Sequence, residues 1–82
     1  MKKRVQVKPK DRKTSLQIAF GKSLRTKRLK LGLSQEELGE HADMHFSYVS
    51  SVERGERNTS LENIAKLATA LGCSIQELVE GL

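Results

Sequence analysis

Residues 34–55 read SQEELGEHADMHFSYVSSVERG. Ser34 stands three residues before Glu37, the spacing of a capping box in which each side chain takes an orphan backbone N–H of the other. The spacing predicts a helix that starts here, buries Leu38 and ends near His41 or Ala42. Asp43 falls in the break, where a left-handed residue is wanted and aspartate is tolerated better than most residues, though less well than glycine. His45 is the expected N-cap of the next helix, which runs to Arg54. Met44 and Val49 are spaced as a hydrophobic staple across its first turn. Val49 and Val52 face the core, and Gly55 ends the helix. Two short helices, 34–42 and 45–54, joined by a very tight turn form the layout of a helix-turn-helix.

Outward from this unit the chain reads as further helices. Thr14 or Ser15 caps a first helix, with Gln17 placed for a capping box. Phe20, Leu24 and Leu31 form its apolar stripe, Gly32 closes it in a left-handed cap position, and Leu33 follows as a packing residue. Thr59 or Ser60 caps a fourth helix carrying Leu61, Ile64, Leu67, Ala68 and Leu71, the strongest amphipathic pattern in the chain. Gly72 ends it. Ser74 and Glu77 repeat the capping-box spacing and open a short fifth helix with Ile75, Leu78 and Val79. No alternating run and no Asn-Gly hairpin signal competes. The expectation is an all-α, five-helix domain over residues 14–82, preceded by an arm, 1–13.

Composition narrows the function. The 82 residues are enough for one small domain. The chain is 37% apolar and its aromatic residues are Phe20, Phe46 and Tyr48, so a large substrate cavity is not expected. Its longest uninterrupted aliphatic or aromatic stretch is Ile18-Ala19-Phe20, far short of the roughly 20 apolar residues of a membrane span. The basic N-terminus lacks the apolar run of a secretory signal. A single cysteine, Cys73, allows neither an intrachain disulfide nor a zinc knuckle, fits a cytoplasmic location, and sits at an apolar position where a buried, inert thiol is expected. His41 and His45 are four apart, but the helix break falls between them and no third ligand is evident, so no metal is expected.

Charge is segregated along the chain. Residues 1–13 carry seven basic side chains against Asp11, and residues 14–33 carry five with no acid. Residues 34–82 carry three basic side chains and nine acidic ones. One end seeks polyanions and the other does not. The arm lacks periodicity, and its lysines and arginines repel one another.

In a helix-turn-helix the first helix braces against the DNA backbone and the second puts its N-terminal residues into the major groove. The groove is about 12 Å across and admits one helix. Leu33-Ser34-Gln35-Glu36-Glu37-Leu38, Ala42, Tyr48-Val49-Ser50, Val52-Glu53-Arg54-Gly55, Asn58 and Ser60-Leu61-Glu62, in this order and spacing, resemble the phage-repressor (Xre/Cro) helix-turn-helix family over residues 18–80. The run Glu53-Arg54-Gly55-Glu56-Arg57-Asn58, after His45 and Tyr48, is most similar to the controller proteins of restriction–modification systems. The resemblance implies a lambda-repressor-like fold and a small dimeric regulator of its own operon. Three positions depart from the family pattern. Gly39 replaces alanine, Asp43 replaces the turn glycine, and Phe46 stands where controller proteins often carry an arginine, which removes a candidate guanine reader.

Phe46, Ser47, Tyr48, Ser50 and Ser51 are the candidate base-contacting residues. Serine reads bases loosely, and Phe46 suits a thymine methyl. With no Arg, Asn or Gln on this face, DNA shape is expected to supply part of the specificity. Gln35 at the first turn of its helix, where free N–H groups attract anions, is a phosphate candidate, and His45 joins it. Lys22 and Arg25 add charge. The resemblance implies that Arg57, Asn58 and Thr59, in the loop after the second helix, track the backbone. It also implies that Arg28 and Glu53 form an internal ion pair, with Arg54 left at the surface.

A helix-turn-helix reads few base pairs, so a homodimer is expected, with Ile75, Leu78, Val79 and Leu82 as its interface. An antitoxin that neutralises a partner protein would use the same DNA surface, and an apolar arm beyond Leu82 would favour it. An acidic third helix would favour a protein-binding adaptor, but Glu53 is its sole acid. An enzyme lacks support, because there is no carboxylate pair, no nucleophile with its base and no phosphate-cradling glycine loop. No cofactor or small-molecule ligand is expected, nor a second domain to sense one.

Overall fold

A computed structural model describes residues 13–82. The arm assigned to residues 1–13 therefore lies, except for Lys13, outside the described residues. Five helices follow in order: α1 (Ser15–Lys30), α2 (Gln35–Ala42), α3 (Phe46–Glu53), α4 (Leu61–Ala70) and α5 (Ile75–Val79).

Local chemistry sets the helix starts. Thr14, Ser34 and Ser74 each accept from the backbone N–H three residues on, and Gln17, Glu37 and Glu77 return a bond to the cap residue, so all three capping boxes are closed. Ser60 caps α4 by accepting from the Asn63 N–H. The Ser74 backbone N–H holds the Glu77 carboxyl below the usual carboxylate range. This cap is at full strength above that range and is lost as pH falls through the lowered value. Gly32, Gly55 and Gly72 take positive φ just beyond helices α1, α3 and α4.

The core is Phe20, Leu24, Leu38, Ala42, Val49, Val52, Leu67, Ala68, Leu71 and Leu78. Helix α3 packs on both α1 and α2, while α4 joins α2 and α5. Two expected core positions are corrected. Leu31 is 55% exposed, because it is the C-cap of α1 and the chain turns away there. The α1 stripe continues instead through Phe20, Leu24 and Arg28. Leu61, the first residue of α4, is 72% exposed at the end of its helix. Cys73 is half-buried and packs against the core, and burial pushes its thiol up, keeping it protonated.

Gly21 decides how closely α1 can approach α3. A Cβ here would lie 2.5 Å from the backbone oxygens of Val52 and Glu53. Gly21→Ala is therefore expected to cost roughly 1–3 kcal/mol by forcing the helices apart, measured as a fall in the urea midpoint. An unchanged midpoint would mean that α1 and α3 do not pack this closely.

Gly39 meets a similar limit, since a Cβ would lie 2.6 Å from the Met44 carbonyl oxygen. The turn between α2 and α3 thus requires glycine at this position. Asp43 takes up the reversal at φ 58 and ψ 51, the one positive φ among the described non-glycine residues. Asp43→Gly relieves roughly 1 kcal/mol of left-handed backbone cost, offset in part by glycine's freedom in the unfolded chain. The expected result is a small rise in Tm, read by thermal unfolding.

Candidate nucleic-acid interface

The exposed start of α3 is built by its cap. His45 Nδ1 accepts the Ser47 backbone N–H at 3.1 Å and lies 2.7 Å from Ser47 Oγ. An Nδ1 that accepts from the backbone carries no proton, so the ring proton is on Nε2 and the Ser47 hydroxyl donates to Nδ1. Ser47 is left as an acceptor toward any ligand. The His45 ring stacks on Phe46, with centroids 4.8 Å apart, and Phe46 is 45% exposed. His45, Phe46 and Ser47 thus form one exposed ledge.

Farther along α3 the side chains have internal work. Ser50 is half-buried and its hydroxyl accepts from Arg54 Nη1. Arg54 also pairs with Glu56 at 3.0 Å, an exposed pair of little energetic consequence. Tyr48 is half-buried, packs on the core, and accepts from Asn63 Nδ2 at 3.1 Å through its hydroxyl. Its O–H proton remains free to donate. Ser51 is not on the exposed face. It is 6% exposed, with its hydroxyl bonded inside the protein, so its expected base contact is corrected.

A buried polar lock holds α3 in place. Arg28 Nε donates to Glu53 Oε2 at 2.6 Å and Nη2 to Oε1 at 3.0 Å. Arg28 Nη1 donates to the Leu33 carbonyl at 2.8 Å, and Gln35 Nε2 donates to Glu53 Oε1 at 2.9 Å. The two charged side chains are 7% and 3% exposed. The lock therefore joins α1, the start of α2 and the end of α3 in one satisfied network. The Glu53 carboxylate raises the already high proton affinity of Arg28. Gln35 spends one side-chain N–H on this lock and keeps its backbone N–H in the first turn of α2.

Cations flank the ledge. Arg25 lines a shallow depression with Arg28, Ser34, Gln35, the exposed Glu36 and Phe46, which brings an exposed α1 arginine beside the starts of α2 and α3. Lys22 is exposed on the preceding stretch of α1. On the other side, the Arg57 guanidinium lies over the Tyr48 ring, 5.4 Å from its centroid. Arg57 and Asn58 are exposed. Thr59 is not available as expected, because its hydroxyl is buried and without a hydrogen-bond partner among the described residues. The sequence-based reading passes over Asn63. It lies in α4, fifteen residues from Tyr48, and only packing brings the two together.

The expected subunit interface also needs correction. Leu78 is 0% exposed and belongs to the core of the single chain. Ile75 and Leu82 are 39% and 42% exposed. Val79 and Leu82 line a cleft of about 410 Å³ whose wall is apolar at Leu16, Phe20 and Ile64 and polar at Thr14, Gln17, Arg57, Asn58 and Thr59.

Comparison with known proteins gives a consistent result. The family described as Helix-turn-helix matches residues 24–78. Control protein C.BamHI of Bacillus amyloliquefaciens is 42% identical over 67 residues, covering 80% of this chain and 83% of its own. Control protein C.MunI of a Mycoplasma species is 41% identical, covering 77% and 86%. Among solved structures, the restriction-modification controller protein C.AhdI from Aeromonas hydrophila superposes with a TM-score of 0.78 at 49% identity, over 79% of this chain and 98% of its own. The P22 c2 repressor protein, solved in complex with a synthetic operator, gives 0.70 at 33% identity, over 77% and 96%.

Proposed function

This chain belongs to the helix-turn-helix family of DNA-binding transcription regulators, and from that premise we propose that it acts as a homodimeric controller of its own operon. The observation that carries this reading is the exposed His45–Phe46–Ser47 ledge at the start of α3, held by the buried Arg28–Glu53 lock and flanked by Arg25 and Arg57.

The first turn of α3 enters the major groove. Phe46 packs on a thymine methyl. Ser47, with its own proton given to His45, accepts from an amino group of adenine or cytosine. Ser50 and the Tyr48 hydroxyl are adjacent donors. The phosphates are held by Arg57 and Asn58 on one side. On the other side are Lys22, Arg25, the N–H groups of α2 at Gln35, and His45 Nε2. With so few base-edge contacts, much of the affinity is electrostatic and specificity draws on DNA shape.

A second copy covers the apolar face around Ile75, Val79 and Leu82, presenting two α3 helices to half-sites about one helical turn apart. The operon it controls is read in the cytoplasm. Hydroxyl-radical footprinting on the duplex upstream of its own gene tests this reading. Two protected segments spaced by about 10 base pairs are expected. A single short footprint would contradict the dimer.

A further inference from the structure

Ser51 lies within α3, yet it is turned away from the exposed ledge and is 6% exposed. Its hydroxyl donates to the Tyr48 carbonyl at 2.8 Å. A serine has one hydroxyl proton, so its oxygen meets any further partner only as an acceptor. That partner is Arg57, whose Nε donates to Ser51 Oγ at 3.1 Å. The same guanidinium is held at a second point by the Tyr48 ring, 5.4 Å below it. The ring is itself pinned from α4 by Asn63 at 3.1 Å.

Arg57 is exposed, outside α3 and in the loop that follows it. An arginine in such a place is ordinarily free to sample many rotamers. Here one N–H and one face of its guanidinium are fixed by the reading helix. The edge opposite Nε, carrying Nη1 and Nη2, is the fork that binds phosphate bidentately.

We propose that Ser51 is a positioning residue for DNA binding: it aims the Arg57 guanidinium so that its fork meets the backbone already ordered. This rests on the reading of Arg57 as a phosphate contact. The relay makes the geometry of the loop contact depend on α3 itself, so phosphate clamp and reading helix dock as one unit. Without Ser51 the arginine keeps its charge but must be ordered on binding, a loss of about threefold to tenfold per subunit.

Alanine at 51 suits a helix at least as well as serine, so Ser51→Ala is expected to fold with an unchanged or slightly raised Tm. The test is a double-mutant cycle of Ser51→Ala and Arg57→Ala, read as affinity for the duplex upstream of the gene over a salt series. The expected result is that Ser51→Ala weakens binding with the salt slope kept. In the Arg57→Ala background it has no further effect. Ser51→Ala with wild-type affinity, while Arg57→Ala binds weakly, would overturn the relay alone. So would an equal loss from Ser51→Ala with and without Arg57. Unchanged binding by Arg57→Ala would instead overturn the phosphate contact on which the relay rests.

Discussion

Replacing Glu53 by alanine is expected to lower Tm by roughly 12 °C or more. The substitution leaves Arg28 charged, buried and facing an emptied site, while Gln35 loses its acceptor. Breaking one side of a buried pair costs roughly 3–5 kcal/mol, and each kcal/mol moves the Tm of a domain this small by about 4–8 °C. Affinity for DNA per folded molecule should change far less, because no atom of Glu53 belongs to the exposed ledge. Circular dichroism melts, with titrations well below the variant's Tm, separate the two effects. A variant of unchanged Tm that no longer binds would place Glu53 at the DNA. Replacing Arg28 by methionine and Glu53 by leucine together should recover part of the loss, since neither charge is then stranded.

Arg57→Ala should weaken binding to every duplex, matched or not. A charge-assisted hydrogen bond contributes roughly 1.5–3 kcal/mol, so the loss is at least about tenfold per subunit and about a hundredfold for a dimer. The distinguishing signature is the salt dependence. Each lost phosphate contact reduces the slope of log K against log salt by about 0.9, so a dimer should lose roughly two. The Tm should move little, because Arg57 is exposed and its partners Ser51 and Tyr48 stay bonded to other groups. An affinity loss confined to one sequence would instead make Arg57 a base reader.

The sequence carries the features of this fold that arise within one turn of chain. Thr14 with Gln17, Ser34 with Glu37, Ser74 with Glu77 and the His45 cap are pairs two or three residues apart, and their spacing is the interaction. Periodicity carries the core less completely. It places Leu31 and Leu61 on the apolar side of their helices, but it does not record that each stands at a helix end. Nor does it show Arg28 continuing the α1 stripe as a buried charge, which depends on Glu53 arriving from twenty-five residues away.

The site divides in the same way. The His45–Phe46–Ser47 ledge follows from a cap and the helix it begins. Ser51 is misplaced because α3 packs on α1 and α2 at once, so a polar residue beside Val52 is enclosed. Thr59 and Leu78 are drawn inward by contacts that have no sequence spacing. Asp43 and Gly39 are legible only together. The left-handed aspartate and the missing Cβ share one turn, and that turn sets where α3 begins relative to α2.

In this mechanism α3 selects a particular DNA sequence rather than merely carrying positive charge nearby. Fluorescence anisotropy tests it on the duplex upstream of the protein's own gene against a scrambled duplex of equal length, over a salt series. A preference of roughly a thousandfold or more, the range of specific regulators, is expected, maintained as both affinities fall with salt. Equal and steeply salt-dependent binding to the two duplexes would contradict it.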